Sequence, residues 1–228
     1  MSYSRVPISI GHNCLPAAHL QALGLRRESY PFDWLLTPTH LSIPYVHDLI
    51  ASDFADFITD LRYNDQGHVM AARYPDTLFL HHDLIANRCK VTTRFEPAPE
   101  DLRQVFARRA ARFMAVLSQQ PVLLIHAFDH CRADCAADYV ESVRRLLGLL
   151  ERRAVDYRLA VVLYDDRPFE PGTDFAPLET LKPVFLTRFV RDRQVNPYFG
   201  ATETFAACMQ PMLPPSDGGV SIETAHGM

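Results

Sequence analysis

The second half of this chain fixes its fold class. Residues 99–118 place Leu102, Val105, Phe106, Ala110, Phe113 and Leu117 at spacings of three and four, the period of an amphipathic helix. "PVLLIHAF" then runs apolar without alternation, as a strand does when both of its faces are covered. A second helix is expected over 136–153, with Tyr139, Val140, Val143, Leu146, Leu147 and Leu150 on one side, and "YRLAVVLYDD" and "KPVFLTRFV" read as further strands. Helix and strand thus alternate from roughly residue 77 to residue 190, which predicts parallel strands joined by crossovers. The fold class is α/β: a three-layer sandwich around a mostly parallel sheet of about five strands.

The first half is less regular. "VPISI" at 6–10 reads as a short buried strand that Pro7 restricts to a sheet edge or to the first residues of pairing. A helix is expected over 15–24, with Pro16 in its first turn and Gly24 as its stop, and another from Thr39 towards Ile50. In "TLFLHHD", Leu78, Phe79 and Leu80 form a strand of the same sheet, ending at His81 and His82. Past Asp192 the pattern weakens: "NPYFGATETFAACMQPM" holds a final helix, and "LPPSDGGVSIETAHGM" has the composition of a loose tail. The expected organisation is a single domain over 1–210 followed by a tail over 211–228.

Charge and composition narrow the partners. A net charge of -4 and a pI near 6.2 give no basic footprint for nucleic acid. No apolar run approaches the roughly 18 to 20 residues of a membrane helix, and "MSYSRVPISIG" lacks the pattern of a secretory leader, so the expected location is the cytoplasm. Five cysteines, an odd number, read as reduced thiols. The expected partner is a small-molecule or peptide substrate, with no nucleic acid, no membrane and no cofactor.

Ligands of open parallel sheets bind outside the carboxyl ends of the strands. There the expected topology gathers Cys14 after the first strand, His81, His82 and Asp83 after the second, and His126, Asp129 and His130 around the third. Asp165 and Asp166 close the next strand. A cysteine at a helix N-terminus sits at the positive end of the macrodipole, which lowers its pKa and readies it as a nucleophile. Gly11 permits the tight turn, and the Asn13 amide and the turn's N–H groups can hold an oxyanion. His82 is the expected base, with Asp33 or Asp83 orienting its ring, while Gly11, His12, Trp34, His81 and His126 are expected around the substrate.

Two other readings remain open. His81, His82, His126 and His130, with Cys131, could ligate a metal, although the spacing matches no paired CxxC pattern. The same edge could instead hold a phosphate or nucleotide at helix N-termini without performing chemistry.

"ISIGHNCLPAAHLQALGLRRESYPFDW" resembles the opening block of a domain-of-unknown-function family described as putative papain-like cysteine peptidases. The matching positions are Gly11, Asn13, Cys14, Leu25, Arg26, Ser29, Pro31, Phe32, Asp33 and Trp34, with His82, Asp83, "RRAARF" and "VLLIHAF" as looser landmarks. The resemblance implies a thiol nucleophile at Cys14 and a histidine base, most simply His82. It also implies a papain-like α+β fold, the alternative to the sandwich that the periodicity predicts.

Overall fold

A computed structural model describes residues 5–66, 68–79, 100–130, 135–168 and 174–213. The expected tail lies almost wholly outside the described residues, as do His81, His82, Asp83 and Cys131. In chain order the elements are β1 (Val6–Ser9), α1 (Leu15–Ala22), α2 (Thr39–Ala51), α3 (Phe57–Asp60), β2 (Leu61–Tyr63), β3 (Val69–Ala71) and β4 (Tyr74–Phe79). They continue with α4 (Glu100–Gln119), β5 (Pro121–Asp129), α5 (Ala136–Arg153), β6 (Asp156–Asp165), α6 (Ala176–Glu179), β7 (Val184–Val190) and α7 (Thr202–Met209).

Four strands form a parallel sheet in the order β1-β5-β6-β7. The α/β class expected from the periodicity is therefore the one observed, with four parallel strands among the described residues rather than about five. Pro7 lies on the edge strand, where a missing N–H costs the sheet least.

The run ending in Phe79 is the exception to that sequence reading. It belongs to β4, in a separate three-stranded antiparallel sheet of order β2-β3-β4. Strands of three residues such as β2 and β3 are too short to show a period, and an apolar run does not name its neighbour. The small sheet is also joined to the 30s segment, through Leu36 and Leu78, which exchange backbone hydrogen bonds of 2.7 and 2.8 Å.

Alternation along β5 and β6 divides the core into two layers. Val122, Leu124, Phe128, Leu159, Val161 and Leu163 pack with α2, α4 and α5 on one face, where Phe106, Phe113, Tyr139 and Val143 are fully or almost fully buried. Leu123, Ile125, Ala127, Ala160 and Val162 face the other way, onto Leu15 and Leu20 of α1 and Phe205 and Met209 of α7. His19 pins that second layer: its ring stacks on Phe205 at 4.3 Å, with one nitrogen 3.0 Å from the Phe199 carbonyl and the other 3.1 Å from the Thr202 hydroxyl.

Candidate active site

β1 delivers the chain to the carboxyl edge of the parallel sheet. Pairing with β5 continues past its last residue, since Ala127 donates its N–H to the Gly11 carbonyl at 2.9 Å. Gly11 then turns with φ +92, a backbone conformation that favours glycine, and a Cβ there would crowd Leu35 Cδ1 at 3.1 Å. His12, Asn13 and Cys14 follow, and α1 starts at Leu15 with Cys14 as its N-cap residue. A strand gives way to a helix through this cysteine because glycine makes the turn and Pro16 fits the first helical turn.

The turn is held by a directed chain of hydrogen bonds. His12 Nδ1 lies 3.0 Å from the Thr37 carbonyl, which can only accept, so Nδ1 carries the proton. Burial lowers the His12 pKa, which keeps the ring neutral and leaves Nε2 as an acceptor. Tyr164 therefore donates its hydroxyl proton to Nε2 at 2.9 Å, and Asn13 Nδ2 donates to the Tyr164 oxygen at 3.0 Å. The orientation of the Asn13 amide is fixed in turn, because its Oδ1 accepts the Leu15 N–H at 3.0 Å. Tyr164 stacks on His12 at 5.7 Å, and the Arg191 guanidinium covers the tyrosine ring at 5.1 Å.

Cys14 departs from expectation in its charge state. Its residue is 9% exposed, and Sγ lies 3.8 Å from the Leu35 carbonyl. Burial pushes the thiol up to about 11; its own backbone N–H opposes that push, and the charge of Asp33 adds to it. At neutral pH the sulfur is protonated, so the low pKa expected from its place at a helix N-terminus is corrected: desolvation outweighs the N-terminal amides.

Asp33 was expected, with Asp83 as the alternative, to orient the ring of His82, which lies outside the described residues. The Asp33 carboxylate, almost wholly buried, accepts from Arg26 Nε at 3.0 Å and from the Tyr30 N–H at 2.9 Å, and orients no histidine among the described residues. Arg26 extends over the Trp34 ring at 5.2 Å and reaches Ser29 at 2.8 Å, so "RRESYPFDW" is a self-bound corner under the turn. Trp34, expected near the substrate, is the half-buried cover of that corner.

His126 also departs from expectation. It points into the helical layer and is 0% exposed, closed to any substrate. Ser42 donates its hydroxyl proton to the Thr39 carbonyl at 2.7 Å and so accepts from His126 Nε2 at 2.9 Å, while Tyr139 donates to Nδ1 at 2.8 Å. With both ring nitrogens used, His126 has no lone pair for a metal. His130 sits apart from it, 3.5 Å from Asp165. Among the described residues no three His, Cys, Asp or Glu side chains are grouped to hold a metal ion.

Of the expected site residues, then, Gly11, His12, Asn13 and Cys14 converge on one turn, and Asp33 and Trp34 buttress it. His81, His82 and Asp83 lie outside the described residues. Tyr164 went unread in the sequence because it falls in the apolar run of β6; its signal was its position, one residue before the end of a parallel strand.

An α/β protein with a cysteine at the strand-to-helix turn of its edge strand is the class that this geometry defines. The family described as "Putative papain-like cysteine peptidase (DUF1796)" matches residues 5–167, and the chain belongs to it. That family description is of a cysteine-based hydrolase. No curated protein and no solved structure matches the chain. Among the described residues no helix is long and apolar enough to cross a membrane.

Proposed function

We propose that this chain is a cysteine-dependent hydrolase or acyltransferase in which Cys14 attacks the carbonyl of an amide, peptide or ester. The observation that carries the reading is the position of Cys14, at the first turn of a helix that leaves the carboxyl edge of a parallel sheet, in a turn locked by Asn13, Tyr164 and His12. Family membership supports the thiol chemistry.

The protonated resting thiol sets the order of events. A base must take the Sγ proton as sulfur bonds to the carbonyl carbon, rather than an ionised sulfur waiting for substrate. His82, four residues past Leu78 in "LFLHHD", is the base that the sequence offers, with Asp83 beside it. The proton then passes to the leaving group, the carbonyl re-forms as a thioester on Cys14, and water or a second acceptor releases the acyl group. The Asn13 amide is committed to Tyr164, and Pro16 has no N–H, so the backbone N–H of Cys14 itself is the donor for the oxyanion. Asn13, Tyr164 and His12 are positioning residues.

Exposure of the full chain to a p-nitrophenyl ester, followed by peptide mapping, tests this reading. The expected result is a hydroxylamine-sensitive acyl group on Cys14, absent from Cys14→Ala and slowed at least ~100-fold in His82→Ala. Acylation spread evenly over the cysteines, or unaffected by Cys14→Ala, would overturn it.

A further inference from the structure

The strap over residues 33–39, between the nucleophile turn and the small sheet, has its polarity reversed. Asp33, Leu35, Thr37 and Thr39 are buried, whereas Trp34 and Pro38 are half-buried and Leu36 is 40% exposed. The buried positions are mostly polar and the outer ones are all apolar. β4 repeats the reversal across the bridge: Thr77 is fully buried, and Leu78, opposite Leu36, is half-buried.

Burial alone would sort these residues the other way. The hydroxyls of Thr37 and Thr77 are sealed in without a hydrogen-bond partner among the described residues, which costs stability. Buried polar groups and exposed large apolar ones are the informative departures from ordinary packing, and here they occur together on two adjacent segments. Residues directly opposite across an antiparallel bridge share a face, so Leu36 and Leu78 form one outward apolar patch.

The patch borders the nucleophile. Sγ of Cys14 lies 3.8 Å from the carbonyl of Leu35, the residue before Leu36. Backbone dimensions then put the Leu36 side chain within roughly 10 Å of the sulfur, the span of a medium-length acyl chain. The inner side of the strap is closed, since Leu35 stands against Gly11 in the core. A chain attached to the sulfur therefore leaves over the outer side.

No main-chain pairing awaits such a chain on the strap. Leu36 spends its N–H and carbonyl on Leu78, and Thr37 gives its N–H to the His12 carbonyl and its carbonyl to His12 Nδ1. The Leu35 carbonyl takes the Cys14 thiol. Recognition is left to uncharged, apolar side chains. A peptide laid there would bring amide groups with nothing to pair with, and an aliphatic chain brings none.

We propose that Leu36 and Leu78 bind the aliphatic chain of the acyl group that Cys14 accepts, which makes the substrate an aliphatic acyl compound and not a peptide. The inference rests on the reading of Cys14 as acyl acceptor and adds the substrate class to it.

Acylation of Cys14 in the full chain by p-nitrophenyl acetate, butyrate and hexanoate, each rate divided by that of N-acetylcysteine, tests the proposal. A methylene moved fully out of water is favoured about fourfold, so hexanoate is expected to be preferred to acetate by at least about tenfold. Leu36→Ala should lower that preference about threefold or more, and Leu36→Met should retain it. Val155→Ala, at an exposed apolar residue just before β6 at the amino end of the sheet, should leave it unchanged. The isocaproyl ester is expected to outpace the N-acetyl-leucyl ester, which carries the same isobutyl group beside an amide. Independently of any reaction, hexanamide should shift the Leu36 and Leu78 methyl signals saturably in ¹H–¹³C spectra, and acetamide should not. A chain-length preference no greater than that of N-acetylcysteine, one untouched by Leu36→Ala, a faster N-acetyl-leucyl ester, or methyl signals that hexanamide leaves in place would overturn the proposal while the thiol chemistry stands. Saturable hexanamide shifts in a chain whose Cys14 no ester acylates would keep the aliphatic site and remove the thiol chemistry.

Discussion

Two neutral histidines, 6.3 Å apart between ring centres, lie on either side of the carboxyl half of the parallel sheet, and each is fixed by a tyrosine hydroxyl. Around His126 the chain of donors runs from Tyr139 through the ring to Ser42 and ends on the Thr39 carbonyl of α2, closed to solvent. Around His12 it runs from Asn13 through Tyr164 and the ring to the Thr37 carbonyl, and its first member is next to Cys14. The bond types are the same. What separates a structural tie from a candidate functional one is where the chain of bonds starts, and the nucleophile turn is at the start of only one of them.

Loss of the closed relay should have the largest effect on stability. His126→Ala is expected to cost about 4 kcal/mol, from a cavity and two orphaned hydroxyl partners, and to leave the alkylation rate of Cys14 in the folded protein little changed. Urea unfolding with parallel thiol labelling measures both. A large change in Cys14 reactivity at unchanged folding would merge the two relays into one.

Acid should loosen both relays and the His19 tie together. Burial lowers the pKa of His12, His126 and His19, the last to about 4, from an ordinary 6.5. Below 6.5 the unfolded chain binds protons that the folded one refuses. The stabilisation is therefore complete above pH 6.5 and is lost as pH falls towards 4, with His19 alone contributing at most about 3 kcal/mol. Urea midpoints that stay flat between pH 7 and 4.5 would contradict these buried neutral rings.

The open relay should answer differently. Tyr164→Phe is expected to cost only about 1–2 kcal/mol, since it leaves His12 Nε2 without its donor, but to slow acylation of Cys14 about tenfold by loosening Asn13. The smallest effect belongs to Ser42→Ala, about 1 kcal/mol, with acylation of Cys14 unchanged. Equal acylation defects in these two variants would erase the distinction.

Much of this architecture was readable from periodicity. The helix expected over 136–153 is Ala136–Arg153, that over 99–118 is Glu100–Gln119, the unalternating run of β5 sits inside the parallel sheet with both faces covered, and the runs read as further strands are β6 and β7. Of the two places that Pro7 allowed, a sheet edge or the first residues of pairing, β1 shows the edge among the described residues. The antiparallel sheet was not readable, because β2 and β3 are three residues each and pairing partners are chosen in three dimensions.

At the site, residue type and position were legible but electrostatics were not. Gly11, Asn13 and Cys14 occupy the turn expected of them. Whether Cys14 rests ionised depends on how much water reaches it, and Leu35 and the buried Asp33 corner, distant in sequence, decide that. The partner of Asp33 was equally hidden, since an Arg26 seven residues earlier is visible in the sequence but its fold back onto the carboxylate is not. Tyr164 shows the converse: a polar tip on a residue that the strand's burial required to be large and apolar.

The protonated resting state of Cys14 is the claim on which the mechanism turns, and the pH dependence of its alkylation measures it directly. Peptide-resolved iodoacetamide labelling of the full chain from pH 6 to 11 is expected to show Cys14 rates still climbing above pH 9, with no plateau near neutrality. A plateau reached below pH 7 would mean a sulfur already ionised at rest and would contradict the account.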